Sequence, residues 1–118
     1  MEAKELRIGN YVENDIGDFI LIDRDTLPFI VTKWIKCHHP ILLTEEWLVK
    51  FGFVKNYYND ILNITGYWNK EKDCGIDLEQ NEIFVYRLNG RKRTLGIVYV
   101  HQLQNLYFAL TNEELTIK

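Results

Sequence analysis

Residues 82–99 read as two strand-forming runs, EIFVYRL and RKRTLGIVY, on either side of Asn89-Gly90. Both central positions of a type I′ turn need a positive φ, which Asn and Gly supply at least cost. The twist of that turn matches two right-handed strands. Such a hairpin commits the chain to antiparallel β structure. A two-residue turn at Asn89-Gly90 also predicts a register. Leu88 opposes Arg91, Arg87 opposes Lys92, Tyr86 opposes Arg93, Phe84 opposes Leu95 and Ile83 opposes Gly96. Phe84 and Leu95 then mark the core face.

Other runs fit strands. Residues 6–13 and 19–23 flank a turn at Asp15 to Asp18, with Gly9 at a bulge or close approach. Residues 29–35 (FIVTKWI) are β-branched and aromatic and follow Pro28, which suits the start of a strand. Residues 53–58 and 61–68 surround Asn59-Asp60. Residues 69–75 are a polar loop, and 76–79 a short strand.

Two helices stand out. The first spans 44–51. Thr44 is an N-cap type and Glu45 and Glu46 favour the positive end of the helix dipole. Leu43 can staple to Leu48, and Trp47 and Phe51 share a face. Gly52 sits where a left-handed cap is wanted, with Phe53 folding back. The second spans 99–110, where Val100, Leu103, Leu106, Tyr107 and Leu110 form one apolar stripe. Asn112 can replace Gly as its left-handed cap, and a short final strand can follow within 111–118.

The expected fold is therefore α+β: one curved antiparallel sheet with two helices, with barrel-like closure as the alternative. At 118 residues the chain fits a single domain, 1–118. Its 47% apolar content argues against disorder, and its net charge of −3 against a histone-like polycation. No apolar run approaches the roughly 20 residues of a membrane helix. The opening residues, MEAKELRIGN, lack the apolar stretch of a signal peptide. The expectation is a cytoplasmic protein without a membrane partner.

The last helix presents a second face of His101, Gln104, Asn105 and Phe108. A solvated face has no need of Phe108. Either the helix is packed on two sides, or Phe108 is an aromatic anchor ringed by polar groups for a protein partner or a second copy. The second surface is the hairpin, with Arg87, Arg91, Lys92 and Arg93. Like charges opposite one another are costly unless an anion relieves them, and Tyr86 beside Arg93 would suit single-stranded nucleic acid. A solvated, edge-protecting tip explains the same residues.

Cys37, His38 and His39 are zinc-ligand types, but no C-x-x-C or H-x-x-x-H accompanies them, and Cys74 stands apart. They read as a polar loop before Pro40. The chain contains no Ser, and nothing places a thiol beside His101 as a nucleophile would require. Asp15, Asp18, Asp23 and Asp25 lack the calcium-loop spacing. No enzyme, metal or cofactor is expected.

Three stretches, LRIGNYV, PILLTEEWLVKFGF and YVHQLQNLYFALTNEEL, together resemble a family of small uncharacterised bacterial proteins often met in prophages and mobile elements. The family pattern has Gly where Asn112 stands and Pro where Leu42 stands. The resemblance implies a cytoplasmic accessory protein and no catalytic residues.

Overall fold

The computed structural model describes residues 5–32, 34–61, 64–69, 74–79, 82–87, 90–94 and 97–117; the side chains of residues 74, 79, 82–87, 90–94 and 110 lie outside that description. The fold is α+β. The chain divides into two compact units, one of Met1–Leu43 with Val98–Thr116, the other of Thr44–Ile97 with Ile117–Lys118.

The first unit holds strands β1 (Tyr11–Asn14), β2 (Phe19–Leu21) and β3 (His38–His39), helix α1 (Leu27–Thr32), a 3-10 turn at Ile35–Cys37 and helix α3 (Val100–Thr111). The sheet order is β2-β1-β3, antiparallel throughout. Asn14 shapes the β1–β2 turn, its Oδ1 accepting from the Ile16 and Asp18 amides.

The strand expected at 29–35 is instead α1. Asp23 Oδ1 accepts from the amides of Asp25 and Thr26, and Thr26 Oγ1 accepts from the Asp23 amide, a reciprocal helix cap. The Thr26 amide also holds the Asp23 carboxyl below its usual range. Pro28 falls in the first turn, where a missing N–H costs little. Leu27, Ile30 and Val31 then share a stripe at helical spacing. With Ile35 they pack on the cluster of Leu6, Val12 and Ile22. Burying that stripe outweighs the modest strand preference of the same residues.

The second unit holds α2 (Glu45–Lys50) and strands β4 (Val54–Asn59), β5 (Ile64–Asn69), β6 (Cys74–Glu79), β7 (Glu82–Arg87) and β8 (Gly90–Thr94) in the order β4-β5-β6-β7-β8. Helix α2 ends as expected. Gly52 has φ +91, its amide bonds to Val49 O and the Phe53 amide to Leu48 O, the paired bonds of a Schellman cap. Thr44 occupies the N-cap in extended conformation, but its hydroxyl makes no cap bond. Trp47, Leu48, Phe51, Phe53, Tyr67 and Ile76 are buried. Asn69 Nδ2 donates to Phe51 O, so the sheet face carrying Tyr67 and Asn69 is tied to the end of α2. Burial, with Glu45 close by, raises the Tyr67 phenol above its ordinary value.

Asn56 bulges out of β4 between Lys55 and Tyr57. The bulge brings Asn56 and Tyr57 against Gly66. A Cβ on Gly66 would stand 3.2 Å from both Tyr57 Cβ and Asp77 Oδ1.

Three expectations about the sheet are corrected. There are two antiparallel sheets, not one, because β1 is paired on both sides by β2 and β3, while β4 to β8 each pair with chain neighbours. Among the described residues neither sheet closes on itself, so no barrel forms. No strand is found in residues 112–117. The predicted turn pair Asn89-Gly90 and its neighbours Leu88, Leu95 and Gly96 are outside the described residues, except Gly90, which starts β8.

Candidate functional site

The face of α3 expected to meet a partner is turned into its own unit. His101 and Gln104 have no exposed surface. Gln104 satisfies three backbone groups from both ends of the chain. Its Nε2 donates to Gly9 O (2.7 Å) and Leu115 O (3.2 Å), and its Oε1 accepts from the Tyr11 amide (2.9 Å). At the next residue, Asn105 Nδ2 donates to Glu5 O (2.8 Å). Its Oδ1 accepts from Asn10 Nδ2 (2.9 Å) and Arg7 Nε (3.1 Å). Buried Asn10 in turn accepts from the Arg7 amide. Most buried polar groups in folded proteins are bonded in this way.

Arg7 completes the clasp. It pairs with Glu114 through both carboxylate oxygens, and its guanidinium carbon lies 4.3 Å from the centre of the Phe108 ring. Phe108 is half-buried. The ring expected as an exposed anchor is thus a platform for an internal cation–π contact. Of the two uses the sequence left open for this face, packing on both sides of α3 describes what is seen. The apolar stripe agrees, with Val100, Leu103 and Tyr107 buried and Leu106 partly so. The Leu110 side chain is outside the described residues.

Gly9 explains the close fit. It has φ +98, and a Cβ there would come within 2.8 Å of Glu114 Oε2. Asn112 makes the helix stop that brings Glu114 and Leu115 back. It adopts the left-handed conformation (φ 59, ψ 24), and its amide bonds to Phe108 O at 2.7 Å. At the other end Gln102 Oε1 accepts from the Val98 and Tyr99 amides. The stretches LRIGNYV and YVHQLQNLYFALTNEEL, 87 residues apart at their nearest, therefore form one structural network.

His101 is the titratable group of this network. Its Nε2 lies 3.2 Å from Glu5 Oε2 and its ring stacks on Tyr99 at 5.9 Å. Among the described residues Nδ1 finds no partner. Burial lowers its proton affinity, and the Glu5 carboxylate partly opposes this.

The hairpin register differs from the expected one by two positions. Arg87 opposes Gly90, Tyr86 opposes Arg91, Val85 opposes Lys92, Phe84 opposes Arg93 and Ile83 opposes Thr94. A shift of two leaves the alternation of faces unchanged, so hydrophobic alternation could not distinguish the two registers. The face of Phe84, expected to be the core face, is the one opposite buried Tyr67 and Ile76. The Arg87–Lys92 repulsion argued from the first register does not arise.

Cys37 is exposed. His38 Nδ1 contacts Trp34 O at 2.7 Å, and His39 Nε2 pairs with Asp15 Oδ1 at 2.6 Å across the β1–β3 sheet. Among the described residues no three His, Cys, Asp or Glu side chains gather in a metal-binding arrangement. The Cys74 side chain is outside the described residues. No helix among the described residues is long and apolar enough to cross a membrane.

A surface missed in the sequence lies on α1. The Phe29 and Trp34 rings are 5.7 Å apart, tilted by 30°, and each is about half exposed (50% and 48%). The Trp34 amide bonds to Phe29 O, which fixes one residue relative to the other. Reading 29–35 as a strand hid the pair, because residues five apart lie on opposite faces of a strand, whereas the turn that ends α1 brings Trp34 back beside Phe29. No protein-family model, no curated protein and no solved structure matches this chain.

Proposed function

We propose that this chain is a small non-enzymatic accessory protein of the bacterial cytoplasm, of prophage or mobile-element type, that works by binding protein. The observation that carries the reading is the half-exposed Phe29–Trp34 pair. Aromatic anchors dominate protein contact surfaces because they bury a large area while losing few rotatable bonds. The pair is held by a backbone bond at the end of α1, so it is organised before a partner arrives. The polar face of α3 is already used within its own unit, which moves the expected binding surface to α1.

The test is the double variant Phe29→Ser/Trp34→Ser. Sedimentation velocity across a concentration series reports self-association, and retention of host proteins on the immobilised chain reports a foreign partner. The wild type should show one or the other, and the variant should lose it while keeping its circular dichroism and melting profile. An assembly or partner retained equally by both proteins overturns the assignment.

A further inference from the structure

We infer that Glu5 and His101 form an acid-released latch, in which protonation of the buried imidazole frees Glu5 from α3 while the rest of the first unit stays folded. The latch is independent of the Phe29–Trp34 pair. Two bonds hold Glu5. Its backbone oxygen accepts from Asn105 Nδ2 at 2.8 Å, and its carboxylate accepts from His101 Nε2 at 3.2 Å. A carboxylate can only accept, so in the neutral ring the proton sits on Nε2 and Nδ1 is a bare acceptor. The His101 side chain has no exposed surface, whereas that of Glu5 is 38% exposed. The imidazole is enclosed, and its partner lies at the boundary with water.

Protonation places a second N–H on the ring, at Nδ1. Among the described residues nothing accepts from it: Nδ1 is buried and has no hydrogen-bond partner. A buried donor left unpaired carries its full desolvation penalty, which water would relieve. The groups around the ring do not reverse this. The Tyr99 ring lies nearly parallel to the imidazole, 10° off at 5.9 Å. Burial is the largest influence and disfavours the charged ring, the Glu5 carboxylate favours it, and the charge of the amino terminus disfavours it again. Arg7 and Glu114, the charged groups farther along α3, pair with each other. Release can stop at Glu5 because the residues after it are anchored separately. Leu6 packs in the cluster of Val12, Ile22 and Ile30, Arg7 bonds to Glu114 and Asn105, and Gly9 O accepts from Gln104. Departure of Glu5 breaks its two bonds and opens the ring to water from the Nε2 side.

The experiment is an NMR titration of the full chain from about neutral pH into the acid range, following three signals together: the His101 ring and the side-chain amides of Asn105 and Gln104. The ring should be the Nε2–H tautomer at neutral pH and titrate with a midpoint below 6.5. Through that midpoint Asn105 Nδ2 should lose protection against solvent exchange, after correction for the intrinsic pH dependence of exchange. The loss should reach about tenfold for each pH unit between the midpoint and the ordinary imidazole value, because both report the same proton. Gln104 Nε2, bonded to Gly9 O and Leu115 O, should keep its protection. His101→Gln should make Asn105 protection independent of pH over this range. Glu5→Gln should lower the His101 midpoint further, because the carboxylate that favours the charged ring is gone. The wild-type titration decides the question by itself where a variant fails to fold. A midpoint at or above 6.5, Asn105 protection that is unchanged through the midpoint, or Gln104 losing protection together with Asn105 overturns the proposal.

Discussion

The Arg7 guanidinium lies over the Phe108 ring, 4.3 Å from its centre, while its nitrogens engage Glu114 and Asn105. One side chain near the start of the chain thus joins the last helix to the segment beyond it. The fork geometry of Arg allows a carboxylate pair and an aromatic stack at once, which Lys cannot match. Arg7→Lys should therefore cost about 1–2 kcal/mol in urea denaturation. A double-mutant cycle with Glu114→Gln should give a coupling of about 1 kcal/mol. A coupling near zero would mean that the pair is incidental.

Gln104 should be less replaceable than Arg7. Gln104→Leu keeps the apolar bulk but leaves Gly9 O, Leu115 O and the Tyr11 amide without their partner. The expected loss is about 3 kcal/mol or more, since each buried group left unpaired costs about 1–3 kcal/mol. Gln104→Glu should be no milder, because a carboxylate would face two carbonyl oxygens. Denaturant midpoints of the two variants check this.

Gly9→Ala should destabilise through two separable effects. The backbone φ of +98 is unfavourable for any L side chain, and the new Cβ meets the Glu114 carboxylate at 2.8 Å. The first effect is about 1–2 kcal/mol. Adding Glu114→Ala to Gly9→Ala should relieve the second effect only. The double variant should therefore be more stable than the sum of the two single losses predicts. Simple additivity in thermal melts would show that the contact is relaxed by side-chain movement.

The buried His101 should make stability depend on pH near neutrality. Burial holds its folded-state value below the ordinary 6.5, with Glu5 acting partly against the shift. The unfolded chain therefore binds this proton more readily than the folded one. The His101 contribution is fully present above about pH 6.5 and is lost as pH falls through the lower folded value. The slope should not exceed about 1.4 kcal/mol per pH unit, the limit for one proton. His101→Gln should flatten this part of the profile measured by urea denaturation. A wild-type profile that is flat over the same range would contradict the assignment.

Local chemistry was readable wherever neighbouring residues determine the outcome. The Gly52 cap of α2, the Asn112 stop of α3 and the apolar stripe of Val100, Leu103 and Tyr107 follow from spacing and from φ preference. The segment at 29–35 misled because β-branched residues favour a strand only weakly. The deciding signals were Asp23 with Thr26, and Leu27, Ile30 and Val31 at helical spacing.

The roles of His101, Gln104, Asn105 and Phe108 were of another kind. Their sequence positions show that α3 has a second face, and nothing local says what covers it. The cover is the segment Glu5–Tyr11, more than 90 residues away, which only the folded chain brings alongside. The hairpin register was likewise undecided, because a shift of two conserves the alternation of faces. Sequence by itself determined the element types that depend on neighbours within a turn or two, and the antiparallel character of the strands. Tertiary structure decided which strands share a sheet, which polar side chains are enclosed, and that Tyr86 and Phe84 stand opposite Arg91 and Arg93. Those outcomes depend on long-range pairing, whose energy comes from burial and hydrogen bonds between segments that carry no local record of one another.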